Sequence, residues 1–193
     1  MTYSVFGKPI LLSFHFIKII KSAKLHLTII NPKIGFNSVF SREYKRDMSL
    51  AQNFLSSKEQ KKVVLAIKEA EKDCSGEIRV HIEDTCKEDL LDHAAFVFEK
   101  LEIHKTELRN GVLFYVSVKP HGFAILGDVG INQKVDDNFW DETKDHVITN
   151  FKKGEFGKGL SEGIIMAGTQ LKKYFPYQTD DVNELSDEIS FGN

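Results

Sequence analysis

The sequence predicts an α/β fold built on a right-handed βαβ unit with one hairpin return. Two stretches of strand character, EIRVHIE and GVLFYVSV, flank a helical stretch long enough to act as a crossover, which makes them parallel. A third, FAILG, follows the second after only the turn KPHG, which makes it antiparallel and the small sheet mixed. The expected order is helix, strand, helix, strand, strand, helix, helix.

The first helix is SSKEQKKVVLAIKEAEKDCSG, with Ser57 and Gln60 as a capping box, Val63, Ile67, Ala70 and Cys74 as its apolar stripe, and Gly76 as its stop. In the strand at 76–83, Ile78, Val80 and Ile82 alternate with Glu77, Arg79, His81 and Glu83, so one face is apolar and the other polar. Thr85 and Glu88 form a second capping box before DLLDHAAFVFEKLEIH. There Leu90, Ala94, Val97 and Leu101 keep helical spacing, and Leu91, Ala95 and Phe98 widen the stripe. The strand at 111–118 is apolar on both faces, as an interior strand is, and 122–127 returns beside it. Next, DDNFWDETKDHVITNFKKG reads as a helix capped by Asp136 or Asp137, with Trp140, Val147 and Phe151 inward and Lys152, Lys153 and Gly154 closing it. In the last helix, GLSEGIIMAGTQLKKYFP, Leu160, Ile164, Ala167 and Leu171 form the stripe. Gly163 and Gly168 permit close contact, and Pro176 ends it.

With 193 residues, the chain has room for one domain with a substantial core and some uncommitted sequence. The formal net charge of -2 hides an asymmetry. Residues 1–47 carry eight Lys/Arg against two acids, leaving 18 against 26 for residues 48–193. Residues 1–47 therefore read as a basic extension. Its run ILLSFHFIKII is interrupted by His15 and Lys18 and is shorter than the ~20 apolar residues of a membrane helix, and no small-residue cleavage site follows. A basic membrane-surface segment, an appendage packed on the domain and translated sequence upstream of the true start all fit. Ordered patterning begins directly after Met48, which makes that residue the candidate start of the native product. The acidic stretch 177–193 is poorly patterned and reads as a flexible tail. Two cysteines, Cys74 and Cys86, offer neither a disulfide framework nor zinc-ligand spacing, and reduced thiols without a targeting segment suit the cytoplasm.

Four stretches in succession, SGEIRV, RNGVLFYVS, FAILGDVGI and FKKGEFGKGLSEGI, make the chain resemble the TPM domain family. That family is named for its thylakoid-lumen, photosystem-repair and receptor-modulator members. The resemblance covers roughly residues 55–176 and marks a small soluble bacterial branch, since the transmembrane or Gly-rich tail of many members is not visible. It implies an α/β/α sandwich resembling a Rossmann layer. Some relatives have acid phosphatase activity or bind divalent cations, so the resemblance implies both as candidate properties. Where many relatives carry Gly-Tyr-Gly, this chain has GDVG.

Topology brings these stretches to one rim. The starts of two parallel strands and the end of the antiparallel one share a sheet edge, where Ser75, Gly76, Glu77, Arg109, Asn110, Gly127, Asp128 and Gly130 meet the following Asp136 and Asp137. The rule for open α/β sheets instead favours the carboxyl ends of the parallel strands, with Asp84, Thr85 and the 119–122 turn. We place the candidate site on the first rim because the reversed strand delivers Asp128 there. Asp128 and Asn110, with Glu77, Asp136 or Asp137, offer hard oxygen ligands for Ca²⁺ or Mg²⁺, and such an ion could polarise a phosphate ester and activate water. The commoner reading is that Gly127 and Gly130 solve backbone problems, Asp128 bonds its own turn and Asn110 makes an Asx-type turn.

No P-loop, GxSxG, EF-hand or GxGxxG pattern occurs. His81 and the other polar residues of the first strand could line a catalytic surface with Arg79 as a phosphate clamp, but alternating charges on one strand more often form a solvated or salt-bridged face. His93, His104, His121 and His146 lack mutual metal spacing, and Trp140 lies on an apolar stripe. The net negative charge from Met48 onward argues against nucleic-acid binding. With neither a nucleophile nor an acid/base pair visible, the expected role is a noncatalytic accessory or interaction module with a protein partner, such as a membrane-bound one. The alternative is a metal-assisted acid phosphatase-like hydrolase.

Overall fold

The computed structural model describes residues 49–179 and 182–192, together with the backbone of two short strands, β1 (Tyr3–Val5) and β2 (Lys8–Ile10), which pair antiparallel. The remainder of the basic extension, and Met48 with it, lies outside the described residues. The elements that follow are α1 (Leu50–Phe54), α2 (Ser57–Glu71), β3 (Ile78–Thr85), α3 (Leu90–Lys100) and a 3₁₀ turn (Ile103–Lys105). Then come β4 (Val112–Lys119), β5 (Gly122–Gly127), α4 (Val129–Asn132), α5 (Phe139–Phe151), α6 (Phe156–Tyr174) and β6 (Ser190–Gly192).

The main sheet runs β5-β4-β3-β6. β3 and β4 are parallel, with Ile78 opposite Val112, and β4 and β5 are antiparallel, with Val112 opposite Gly127. The expected parallel pair and hairpin return are both present. The α/β/α layering follows from side-chain alternation. Ile78, Val80, Ile82, Val112, Phe114, Val116, Phe123 and Ile125 share one face, packed on Val63, Ile67, Val147, Leu160 and Ile164 of α2, α5 and α6. Leu113, Tyr115, Ala124 and Leu126 form the other face under Ala94, Val97 and Phe98 of α3. The stripes read from helical spacing face the cores, fully buried except for Leu90, Leu91, Leu101 and Trp140, which are partly buried against them.

Several boundaries differ from the sequence reading. The first capping box is Ser56 with Glu59, one residue earlier, because Ser56 holds the extended backbone an N-cap needs. Helix α2 ends at Glu71, and Gly76 serves contact instead of termination, since a Cβ there would sit 2.5 Å from Leu171 Cδ2. Asp89 caps α3 in place of Thr85, which belongs to β3. Its carboxylate accepts the N–H groups of Leu91 and Asp92. Neither Asp136 nor Asp137 caps α5, which starts after Asn138 without a side-chain bond. The loop after β5 contains a short helix, α4, capped by Asp128.

The largest correction concerns the tail. β6 pairs in parallel with β3, Ile189 packs against the core of α2 and α6, and Leu185 packs against the core under α3. These residues form a strap around the edge of the sheet, which composition alone could not reveal.

Helix α6 approaches α2 closely at Gly168, where an added Cβ would lie 2.5 Å from Ala70 Cβ and 2.8 Å from its Cα. Backbone cannot yield there as a side chain would. Gly168→Ala is therefore expected to lower unfolding free energy by about 1–2 kcal/mol in urea titration, overpacking exceeding the ~1 kcal/mol gain in helix propensity. Unchanged or increased stability would contradict this packing.

Candidate functional site

The rim at the start of β3 and β4 is assembled by backbone register. Val112 N–H donates to Glu77 O, Asp128 N–H to Gly111 O and Gly130 N–H to Arg109 O, at 2.7–2.9 Å. These bonds gather the segments holding Glu77, Arg109, Gly127, Asp128 and Gly130. Asn110 Nδ2 donates to Ser75 O at 3.0 Å, which adds the Ser75–Gly76 segment.

Arg109, Asp128, Glu77 and Asn110 each have a defined partner. Arg109 adopts the left-handed region at φ 53°, an unfavourable setting for a side chain of its size. From there its Nε and Nη2 grip Asp128 Oδ2 and Oδ1 at 2.7 and 2.9 Å. Asp128 Oδ1 also accepts Val129 N–H at 2.7 Å. The Asp128 side chain is 1% exposed, so this bidentate pair neutralises a buried carboxylate, and the same contact raises the Arg109 pKa. Glu77 accepts the N–H groups of Glu184 and Leu185 at 2.8 and 3.2 Å. Asn110 is buried, and its Oδ1 has no partner.

The glycines make room. A Cβ on Gly127 would meet Trp140 Cζ2 at 2.7 Å, and one on Gly130 would meet Leu108 O and Arg109 O at 2.3 and 2.6 Å. Trp140 is partly buried against the core, and its indole N–H donates to Asn132 Oδ1. Asp136 and Asp137 are exposed, and the charge on Asp136 acts toward Lys173 of α6. Among the described residues, no group of three His, Cys, Asp or Glu side chains is placed to hold a metal ion.

The polar face of β3 departs most from expectation. Arg79 and His81 are buried, so the reading of a solvated face is corrected. At the carboxyl end of the strand, Glu83 Oε2 receives both Tyr115 Oη at 2.9 Å and His93 Nε2 at 2.7 Å. Ser190 Oγ donates to Val80 O at 3.1 Å and so accepts from His81 Nδ1 at 2.9 Å, leaving Nε2 as the bare nitrogen. Burial pushes the His81 pKa down to about 4, which keeps it neutral at pH 7. Burial, followed by the Glu83 contact, pushes the Tyr115 phenol up.

Near the other end of β3, Glu71 Oε1 accepts Ile78 N–H at 2.6 Å. Burial raises its pKa to about 8, and burial likewise raises Glu77 to about 7. A pocket of about 200 Å³ lies between Glu71, Glu77, Ser75 and the strap residues Asn183 and Asp187. The sequence reading missed Glu71, which lay off the apolar stripe, and Glu184 and Asp187, which lay in the tail. No local signal marked them, because β3 becomes an interior strand only through β6, in the stretch read as a tail.

The family model of the TPM domain matches residues 49–170. The chain belongs to the TPM domain family. Its fold is similar to that of the BA42 protein from the psychrophilic bacterium Bizionia argentinensis, with a TM-score of 0.68 and 50% identity over 72% of this chain and 96% of that one. The N-terminal domain of a P. gingivalis protein shares the fold at a TM-score of 0.53 and 18% identity, over 63% of this chain and 79% of that one. No curated protein matches the chain. The TPM assignment agrees with the four sequence stretches, all of which fall within the matched residues.

Two measurements test the site. Arg109→Ala leaves Asp128 buried without its cation and is expected to destabilise the domain by about 2–4 kcal/mol. Asp128→Ala also removes the helix cap, and a double-mutant cycle should give a coupling of at least ~1 kcal/mol. Additive effects would show that the pair contributes nothing of its own. The second test is pH. Glu71 and Glu77 bind protons more tightly folded than unfolded, so their stabilisation is full below about pH 4.5 and is lost as pH rises through about 7 and 8. His81 acts oppositely, its contribution being full above about pH 6.5 and lost as pH falls toward 4. Between pH 6.5 and 8.5 only the glutamates act, so stability should fall by about 2 kcal/mol and Glu71→Gln should flatten the profile. A rise in Tm across that interval would contradict the assignment.

Proposed function

We propose that this TPM domain is a noncatalytic accessory or interaction module acting in the cytoplasm. The observation that carries this reading is that the rim's buried carboxylates are committed to the fold. Asp128 is held by Arg109 and by the α4 backbone, and Glu77 by the strap. Groups spent in this way hold segments together instead of facing a ligand. The presence of Cys74 and Cys86 as buried thiols suits a reducing compartment. Among the described residues, no helix is long and apolar enough to cross a membrane.

A second reading, binding of Ca²⁺ or Mg²⁺ at this rim with phosphatase-like hydrolysis, is favoured by the buried and unpartnered Asn110 Oδ1. As folded, the proposed ligands Asp128, Asn110, Glu77, Asp136 and Asp137 do not make a ready site for the ion. Asp128 would have to leave Arg109 and Glu77 would have to leave the strap, while Asp136 and Asp137 face solvent.

Hydrolysis of p-nitrophenyl phosphate and thermal shifts with Ca²⁺ or Mg²⁺ separate the readings. The accessory role predicts turnover no faster than buffer and a Tm unchanged by either ion. Turnover abolished by Asp128→Asn would reject it in favour of the hydrolase. A Tm rise abolished by the same substitution, without turnover, would add a cation site to the module.

A further inference from the structure

Helix α2 turns a row of lysines outward. Its buried side is Val63, Ala66, Ile67 and Ala70. On the opposite side Lys58, Lys61, Lys62, Lys68 and Lys72 recur at helical spacing, all exposed, and Leu65 stands in the middle of them at 65% exposure. A leucine so placed adds nothing to the domain's own core.

The row is short of acids. In residues 48–193, 18 Lys/Arg stand against 26 acids, yet this face sets its five lysines against Glu69 alone. Among the described residues only Lys68 of the five forms an ion pair, with Asp187 at 3.8 Å. Lys62 acts on Glu59 and Lys72 on Asp73, but Glu59 already accepts from Ser56 Oγ and Asp73 is held by Lys172, each at 2.6 Å. On the neighbouring α6, by contrast, Lys158 and Lys172 are matched by Glu155 and Asp73. The two helices run parallel, Gly157 lying at Glu59 and Gly168 at Ala70, and form one layer over the sheet. Ile165 of α6, 41% exposed, adds a second apolar side chain to the outside of that layer.

A solvated helix face usually mixes both signs of charge, as α6 does. Unmatched lysines around an exposed leucine fit instead a partner that carries negative charge over an apolar layer. An anionic lipid headgroup surface has both. Lysine, a point charge on a long stem, suits charge spread over such a surface, and arginine, the residue that grips single phosphates in two-pronged fashion, is absent from α2. Residues 1–47 repeat the combination in sequence, with eight Lys/Arg against two acids and the run ILLSFHFIKII.

We propose that the outer face of α2, the lysine row around Leu65, docks on an anionic lipid bilayer. The ammonium groups reach the headgroup charge while Leu65 and Ile165 enter the headgroup boundary, so the domain lies on the membrane without crossing it. The excess of acids elsewhere sets the orientation, because an anionic surface repels them. This surface does not depend on the accessory role proposed above.

Co-sedimentation of the full chain with vesicles tests it. Roughly 3:1 phosphatidylcholine:phosphatidylglycerol vesicles should carry the protein down at low salt, and phosphatidylcholine alone should not. Lys61→Gln combined with Lys72→Gln should weaken partitioning about tenfold or more, and Leu65→Gln about threefold. Glutamine matches the helix propensity of lysine, so the parent Tm should be kept. Lys87→Gln combined with Lys100→Gln removes the same charge from α3 and the loop before it, across the sheet, and should change partitioning by less than about twofold. Absence of sedimentation with the anionic vesicles, or equal weakening by the two pairs, would overturn the proposal. Partitioning unchanged by the α2 pair would do the same and place binding in residues 1–47. Capture of duplex DNA or polyglutamate through Lys61 and Lys72, without vesicle binding, would assign the face to another polyanion and overturn the membrane.

Discussion

Burying a charged strand face is the constraint to which most of this domain answers. β3 lies between β4 and β6, so Glu77, Arg79, His81 and Glu83 turn toward protein instead of water. Buried charges and imidazoles are costly unless they find partners. The partners come from four directions. The strap takes Glu77, β6 supplies Ser190 to His81, α3 supplies His93 to Glu83, and β4 supplies Tyr115 to the same carboxylate. The α3 helix packs over β4 and β5, so the strap is what completes the cover over β3 on that side of the sheet.

The second organising contact is the Arg109–Asp128 pair. It ties the entrance of β4 to the exit of β5, two points the antiparallel register already brings together. The pair accounts for three features at once. Arg109 tolerates a left-handed backbone, Asp128 can be buried, and α4 begins where it does. Gly127 and Gly130 complete the same joint by letting Trp140 and the 108–109 backbone approach. What sequence motifs suggest as a ligand loop is thus chiefly a corner of the fold, with Asn110 Oδ1 as its one uncommitted buried acceptor among the described residues.

Local periodicity made the helices, the parallel pair and the hairpin legible, because their stripes report burial directly: Val63, Ile67, Leu160 and Ile164 all face the core. The convergence of Ser75, Glu77, Arg109, Asn110 and Asp128 was also legible, since it needs only strand directions. Their bonding was not. Arg109 and Asp128 are 19 residues apart, and Glu77 meets Glu184 across 107. A polar alternation such as that of β3 looks the same whether water or a distant strap covers it. Capping residues failed for a narrower reason: Ser56 and Ser57 are chemically equal candidates, and only the backbone conformation decides between them.

Glu77 belongs to both halves of the functional question. Its carboxylate is an expected cation ligand at the rim, yet the same two oxygens receive the strap's backbone N–H groups. A cation that took those oxygens would compete with the strap, and a seated strap would weaken the cation by the same free energy, as linkage requires. Protons enter the same balance from the opposite side, since burial favours the neutral form of Glu77 and Glu71 while a metal requires the ionised form. Ionised Glu77 accepts the strap's N–H groups more strongly, so loss of its proton serves the strap and a cation alike. The rim and the strap, separate in sequence, meet at Glu77 beside the head of β3.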